Sequence, residues 1–346
     1  MLVQRTTRKT VSMMTMAKCL SLTLVLASAF FLAPSGVRAA GAGTLKIAAL
    51  TPQGTTWADG LKQVAKQVET ATAGRVQFKL YLGGVAGDEP DVIRKIRVGQ
   101  LSGGIFTGKS MGDLFGDVRL LEVPFNFGGE QKKVAKVVKD LRPHFDQGLE
   151  KAGFVNLGFF QAGNVYFVSK KKAGSIADLK GLKIWAWEGD ALVQAMVETL
   201  NLVSVPLALP DVLNSLSTGI IDAAYATPLA IMALQWQSKI EYLIDFPITY
   251  AFASFLIDAK AWAKIEPKDQ EIVKKVVGDY IDAANVQTAK ENEESLATLK
   301  SMGVKFLQFP AEDVARSQKV RADLLAKVSG KMFSPEVIEL FKKSAQ

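Results

Sequence analysis

From Leu45 onward, short apolar runs with strand character alternate with amphipathic stretches of helical period, and the alternation continues as far as Pro267. Leu45–Leu50 reads as a buried strand. In Thr55–Thr72 the residues Trp57, Leu61, Val64 and Val68 recur at helical spacing on one face, and Gly74 closes the stretch. Val76–Leu82 alternates apolar and polar residues, as a half-buried strand does. A short helix is expected over Pro90–Val98, with proline in its first turn. Strands follow at Phe154–Phe160, Val165–Ser169, Leu182–Trp187, Ile220–Tyr225 and Ala251–Ile257. Helices are expected over Ala191–Leu200 and Pro210–Ser217. Such alternation predicts α/β layers on mainly parallel sheets. Pro267–Met302 breaks the rhythm with one long helical pattern, proline at its start and Gly303 at its end. At 1.5 Å per residue it spans about 54 Å. No single lobe of a 346-residue chain needs a helix that long. It is expected to back two lobes, with a cleft between them as the usual place for a ligand.

The segment before Leu45 is of another kind. Arg5, Arg8, Lys9 and Lys18 precede an apolar run at Cys19–Leu32, which Pro34 and Gly36 break, and Val37-Arg38-Ala39 offers the small residues that a signal peptidase reads. This is the layout of a secretory leader, and the run is shorter than the roughly 20 residues of a spanning helix. Residues 1–39 are therefore expected to be a signal peptide cleaved after Ala39, with periplasmic delivery. Met13, Met14 and Met16 are alternative starts. Cys19 opens the run instead of following it, so it is no lipid acceptor. Cleavage removes five of the 42 basic residues and none of the 34 acidic ones, lowering the charge from +8 to +3. That is too little to argue for a nucleic-acid partner. With one Cys and one His in the whole chain, a disulfide framework and a multi-thiolate or multi-histidine metal site are excluded. No cofactor is implied.

Several motifs bear on chemistry. Gly103–Ser110 (GGIFTGKS) matches the phosphate-loop pattern. The stretch before it is helical in pattern, and Ile105 and Phe106 fall inside the supposed loop. It reads instead as a short strand running into a turn, with Lys109 solvated. His144 stands alone and reads as a surface or structural residue. The pairs Asp88/Glu89 and Glu293/Glu294 read as solvated, since nothing in the sequence separates their acidities. No nucleophile, base and orienting group assemble from these motifs, so no enzyme is expected. The aromatics Trp57, Phe106, Phe159, Phe160, Trp185, Trp187, Tyr225 and Trp236 fall near strand ends or helix starts, which face the cleft between α/β lobes. Phe159 is more simply a core residue. Trp185 and Trp187, two apart, share one face of their strand.

The order LKIAALTPQGTTWADGLKQVAKQVETATAGRVQFKLY, VIRKIRVGQLSGGIFTG, LEVPFNF, ADLKGLKI and LPDVLNSLSTGIIDAAYATP resembles the solute-binding proteins of TRAP transporters, the DctP family. The resemblance implies a periplasmic-binding-protein-like fold: two α/β lobes joined by hinge strands, with a long helix behind both. It implies hinge strands near Asn164–Ser169 and Tyr250–Ile257. The first lobe would hold residues 40–169 and 251–310, the second 170–250, with C-terminal helices over 311–346. It also implies a membrane permease as partner. Members that carry organic acids usually have an arginine directly after GLKI, whose planar fork grips a carboxylate. Here that position is Trp185. A second frequent arginine falls near Val165, and the usual asparagine before proline is replaced in Ala226-Thr227-Pro228. The expected ligand is therefore hydrophobic or uncharged, because a carboxylate buried without compensation is costly. The expected site is Trp57, Phe106, Thr107, Phe160, Gln161, Asn164, Trp185, Trp187, Glu188, Tyr225 and Thr227, with Gln161, Asn164, Glu188 and Thr227 orienting the ligand. A periplasmic lipid or sterol carrier with a partner other than a TRAP permease is the alternative.

Overall fold

A computed structural model describes residues 43–345 of the chain. The expected leader, its cleavage point and Cys19 lie outside the described residues. Among the described residues ten strands are formed: β1 (Thr44–Ala48), β2 (Gln77–Tyr81), β3 (Gly103–Thr107), β4 (Phe154–Ser169), β5 (Lys183–Trp187), β6 (Val203–Leu207), β7 (Ala223–Ala226), β8 (Tyr242–Ile244), β9 (Thr249–Asp258) and β10 (Lys305–Leu307). Their main order is β2-β1-β3-β9-β4-β7-β5-β6, with β8 beside the end of β4 and β10 beside β8. The pairings β1–β2, β1–β3, β5–β6, β5–β7 and β8–β10 are parallel. Every pairing of β4 is antiparallel, as is β3–β9. The sheets are thus mixed, not mainly parallel. Every antiparallel pairing involves one of the two long strands, β4 or β9.

β4 is the strand that joins the two lobes. It pairs with β9 as far as Val165 opposite Thr249, then with β7 from Tyr166 opposite Ala226. The sequence suggests two short strands here; the structure has one, irregular at Asn156/Phe159 and Gln161/Gly163. Gly163 has φ +118°, and a Cβ there would stand 2.5 Å from Nδ2 of Asn292. Only glycine adopts that backbone readily, and only glycine leaves room for the asparagine.

The long helix runs from Pro267 to Ser301. Two of its asparagines, seven residues and two turns apart, serve the irregular part of β4. The Gln161 N–H donates to Asn285 (2.7 Å), whose amide donates to the Phe159 carbonyl (3.1 Å). Asn292 donates to the Ala162 carbonyl (2.8 Å) and accepts from the Leu229 N–H (3.0 Å). Interrupted ladder groups buried against a helix need such partners. Near its start the helix buries Val273 and Val277 with Leu61, Val64, Val68 and Phe255 of the first lobe. Farther along, Leu299 packs with Trp185, Trp236 and Leu243 of the second.

Most expected elements are present within a residue or two, including the helices Thr56–Ala71, Glu89–Arg97 and Ala191–Thr199. Others are additional, among them β6, β8, β10 and the helix Gln131–Lys151. That helix carries Pro143 in its interior, a residue that ordinarily ends one. Its buried face, Val134, Val137, Leu141 and Phe145, meets the C-terminal helices through Phe341. Those helices, Ala311–Val328 and Pro335–Ser344, touch both lobes. Asp313 accepts from the Ile176 N–H at 2.8 Å, and Ser334 donates through its N–H and hydroxyl to Asp117 at 2.6 and 2.7 Å. Among the described residues, no helix is long and apolar enough to cross a membrane.

Candidate functional site

Where the strand ends of the two lobes converge, they enclose a cavity of about 290 Å³. Strand alternation decides what faces it. On β3, Ile105 and Thr107 line the cavity, while Phe106 turns to the opposite face and is buried in the core. On β5, Trp185 and Trp187 point inward together. Trp185 is the hub of the aromatic wall. It stacks on Tyr225 (centroids 5.0 Å apart, planes at 21°) and meets Trp187 at 5.4 Å and Trp236 edge-on at 5.6 Å. Such offset and edge arrangements suit the ring quadrupoles. Its indole N–H donates to the Leu207 carbonyl at 3.0 Å. Trp57 comes from the first lobe and donates to Thr288 of the long helix at 3.1 Å. Phe160 and Gln161 enter from the middle of β4, and Thr227 caps the helix Pro228–Ala233.

Eight of the eleven expected residues therefore line the cavity: Trp57, Thr107, Phe160, Gln161, Trp185, Trp187, Tyr225 and Thr227. Three do not. Phe106 faces the other side of β3. Asn164 follows the Gly163 irregularity and does not line the cavity. Glu188 is exposed in the turn after β5. Phe159 is a core residue, as expected, and Trp236 both lines the cavity and packs the second-lobe core.

Sequence reasoning missed the ionisable part of the wall: Glu89, Lys109, Arg119, Glu122 and Asp190. Arg119 is only 5% exposed. Its Nη2 donates to both carboxylate oxygens of Asp190, at 2.7 and 2.9 Å, and its Nη1 pairs with Glu122. Burial lowers the basicity of this guanidinium, but Asp190 and Glu122 outweigh it and the net displacement is upward. Glu122 is pushed up by burial, with Arg119 opposing. Asp190 also caps the helix Ala191–Thr199, accepting from the Leu192 and Val193 N–H groups. Arg119 belongs to a 3₁₀ segment, Gly116–Glu122, with no periodic signature. The legible signal was Asp190 in an N-cap position.

The pair Asp88/Glu89 is not the solvated pair that the sequence suggests. Asp88 caps the helix Glu89–Arg97 and accepts from the Trp187 indole at 3.0 Å, reaching across to the second lobe. Glu89 is 3% exposed and accepts from the Thr107 N–H (3.1 Å) and hydroxyl (2.8 Å). Burial raises its pKa from 4.5 to about 7, more than these hydrogen bonds lower it. Lys109 is likewise not solvated: it is buried and ion-paired with Asp113 at 2.7 Å. The phosphate-loop pattern forms no loop, because β3 runs directly into the helix Gly108–Leu114. His144 is structural, its Nε2 lying 2.7 Å from Asp117. Glu293 and Glu294 are exposed on the long helix, as expected.

Comparison with known proteins places this arrangement. The family described as bacterial extracellular solute-binding protein, family 7, matches residues 47–331. A solute-binding protein of Chromohalobacter salexigens is 27% identical over 227 residues, covering 63% of this chain and 65% of that protein's length. Among solved structures, a Bordetella pertussis extracytoplasmic solute receptor binding pyroglutamic acid is 20% identical, with a TM-score of 0.81 over 88% of this chain and 99% of the other. A TRAP periplasmic solute-binding protein from a Bradyrhizobium species, in complex with D-galacturonate, is 21% identical, with a TM-score of 0.80 over 87% and 99%. At these identities the structures establish the fold. By family match, the chain belongs to family 7 of the bacterial extracellular solute-binding proteins, the DctP family.

Proposed function

We propose that the protein is the periplasmic receptor of a TRAP-type transporter, that it holds a predominantly hydrophobic solute without an acidic group in the aromatic cavity, and that it hands this solute to membrane permease subunits. Residues 40–169 and 251–310 would form one lobe and 170–250 the other, closing over the solute. A signal peptide over residues 1–39 would deliver it. Trp57, Phe160, Trp185, Trp187 and Tyr225 supply apolar contact area, and Thr107, Gln161 and Thr227 supply orienting hydrogen bonds.

One observation carries the ligand class. Each cation on the cavity wall is already matched by a protein carboxylate, Arg119 by Asp190 and Glu122, and Lys109 by Asp113. A solute carboxylate entering here would have to break a buried pair or remain uncompensated, and either costs several kcal/mol. The acids bound by the structural neighbours thus have no ready counterpart at this wall. Ligand contacts to both lobes favour the closed arrangement only by their differential affinity for it. The test is organic extraction and mass spectrometry of what co-purifies with the protein, beside a titration with D-galacturonate. An apolar co-purifying compound and no galacturonate binding are expected. A polar diacid in the extract, or micromolar galacturonate binding, would refute the reading.

A further inference from the structure

The ion pairs leave one ionisable group of the wall without a counterpart. Glu89 is buried at the N-terminus of its helix, against Thr107. Among the described residues, no lysine, arginine or histidine nitrogen lies within ion-pair distance of it, and its nearest charged influence is the like-charged Asp88. Of the two cations on the wall, Arg119 is committed to Glu122 and Asp190, and Lys109 to Asp113, so neither serves Glu89. The aromatic surface reaches this spot. The Trp187 indole is tied to Asp88, the residue before Glu89, and Trp187 in turn packs on Trp185. A buried carboxyl lacking a cation, in a cavity walled by indole rings, is a combination that favours positive charge, through charge-assisted hydrogen bonding and the ring quadrupoles.

Building on the reading of the cavity as an apolar-solute site, we propose that its ligand is an amine: the nitrogen donates to the Glu89 carboxylate, and the apolar body lies against Trp57, Trp187 and Tyr225. Glu89 is then the residue that sets specificity for the polar end of the solute, and the ligand nitrogen supplies the cation that Glu89 lacks. An acid is excluded twice, by the committed cations and by Glu89 itself.

Three probes of matched shape test this by isothermal titration calorimetry on the purified protein: 2-phenylethylamine, 2-phenylethanol and 3-phenylpropanoate. The amine is expected to bind about tenfold more tightly than the alcohol, the worth of one charge-assisted hydrogen bond, with the acid weakest. In Glu89→Gln the amine's affinity should fall to that of the alcohol, while the alcohol's own affinity holds. Equal affinity of amine and alcohol, or an amine preference that survives Glu89→Gln, overturns the proposal and leaves the apolar-solute reading standing. Failure of the amine to bind at millimolar concentration overturns it too. An acid that binds best overturns both. The wild-type comparison decides the matter even if the variant folds poorly.

Discussion

Replacing Glu89 with glutamine keeps the shape of the side chain and an oxygen for the Thr107 N–H, and it removes the titration. The magnitude follows from the environment. A carboxyl whose pKa stands at 4.5 in the unfolded chain and at about 7 in the folded one costs the folded state about 3 kcal/mol when ionised, at about 1.4 kcal/mol per pH unit. The sign is set by the direction of the displacement. Below the unfolded value both states are protonated and the cost is absent. It grows as pH rises from about 4.5, and it is complete above about 7. Glu89→Gln, neutral throughout, should therefore match the wild type near pH 4.5, allowing for one constant offset. It should be more stable by about 3 kcal/mol at pH 8, or about 5 °C in melting temperature for a chain of this size. Thermal melts at half-unit steps from pH 4.5 to 8.5 read this directly. A difference that stays constant with pH, or that widens towards acid, would refute the claim that burial raises the pKa of Glu89.

Two further expectations concern the framework around the cavity. Asp190→Asn retains a competent helix cap but takes one carboxylate from Arg119, which should destabilise the protein by about 3 kcal/mol and, if Arg119–Asp190 helps hold the lobes together, increase the radius of gyration in small-angle scattering; an unchanged melting temperature would show that Glu122 alone suffices. Gly163→Ala sets a Cβ against Asn292 at a positive φ and should cost about 1–3 kcal/mol, read by denaturant unfolding; wild-type stability would mean that β4 relaxes there freely.

What the sequence made legible divides by range. The long helix announces itself because its punctuation is local, proline at one end and glycine at the other. The aromatic wall was legible because period-two alternation on β5 puts Trp185 and Trp187 on one side wherever the strand is placed. β4 read as two strands because Gln161, Gly163 and Asn164 interrupt its apolar pattern, and the groups that repair the interruption, Asn285 and Asn292, lie more than 120 positions away in the chain. Arg119 and Asp190 are 71 positions apart, and neither residue type reveals its partner. Glu89 looked solvated beside Asp88 because only the docking of β3 over the helix start buries it. Phe106 was misplaced by a single step: a neighbour of cavity residues along a strand is, by the same alternation, turned away from them.

The asparagine contacts to β4 also separate two jobs that a receptor could have merged. The irregular stretch of β4, where one lobe gives way to the other, is held by main-chain groups and by two amides of the long helix, Asn285 and Asn292, that do not line the cavity, whereas solute choice rests with lining side chains at the strand ends and helix starts. Exchanging a lining residue such as Glu89 or Trp57 therefore retunes what is bound without redesigning the joint. Disturbing Asn292 would instead change the affinity for every solute by the same factor. Selectivity and movement can in this way drift independently, which lets one scaffold carry chemically unrelated cargoes.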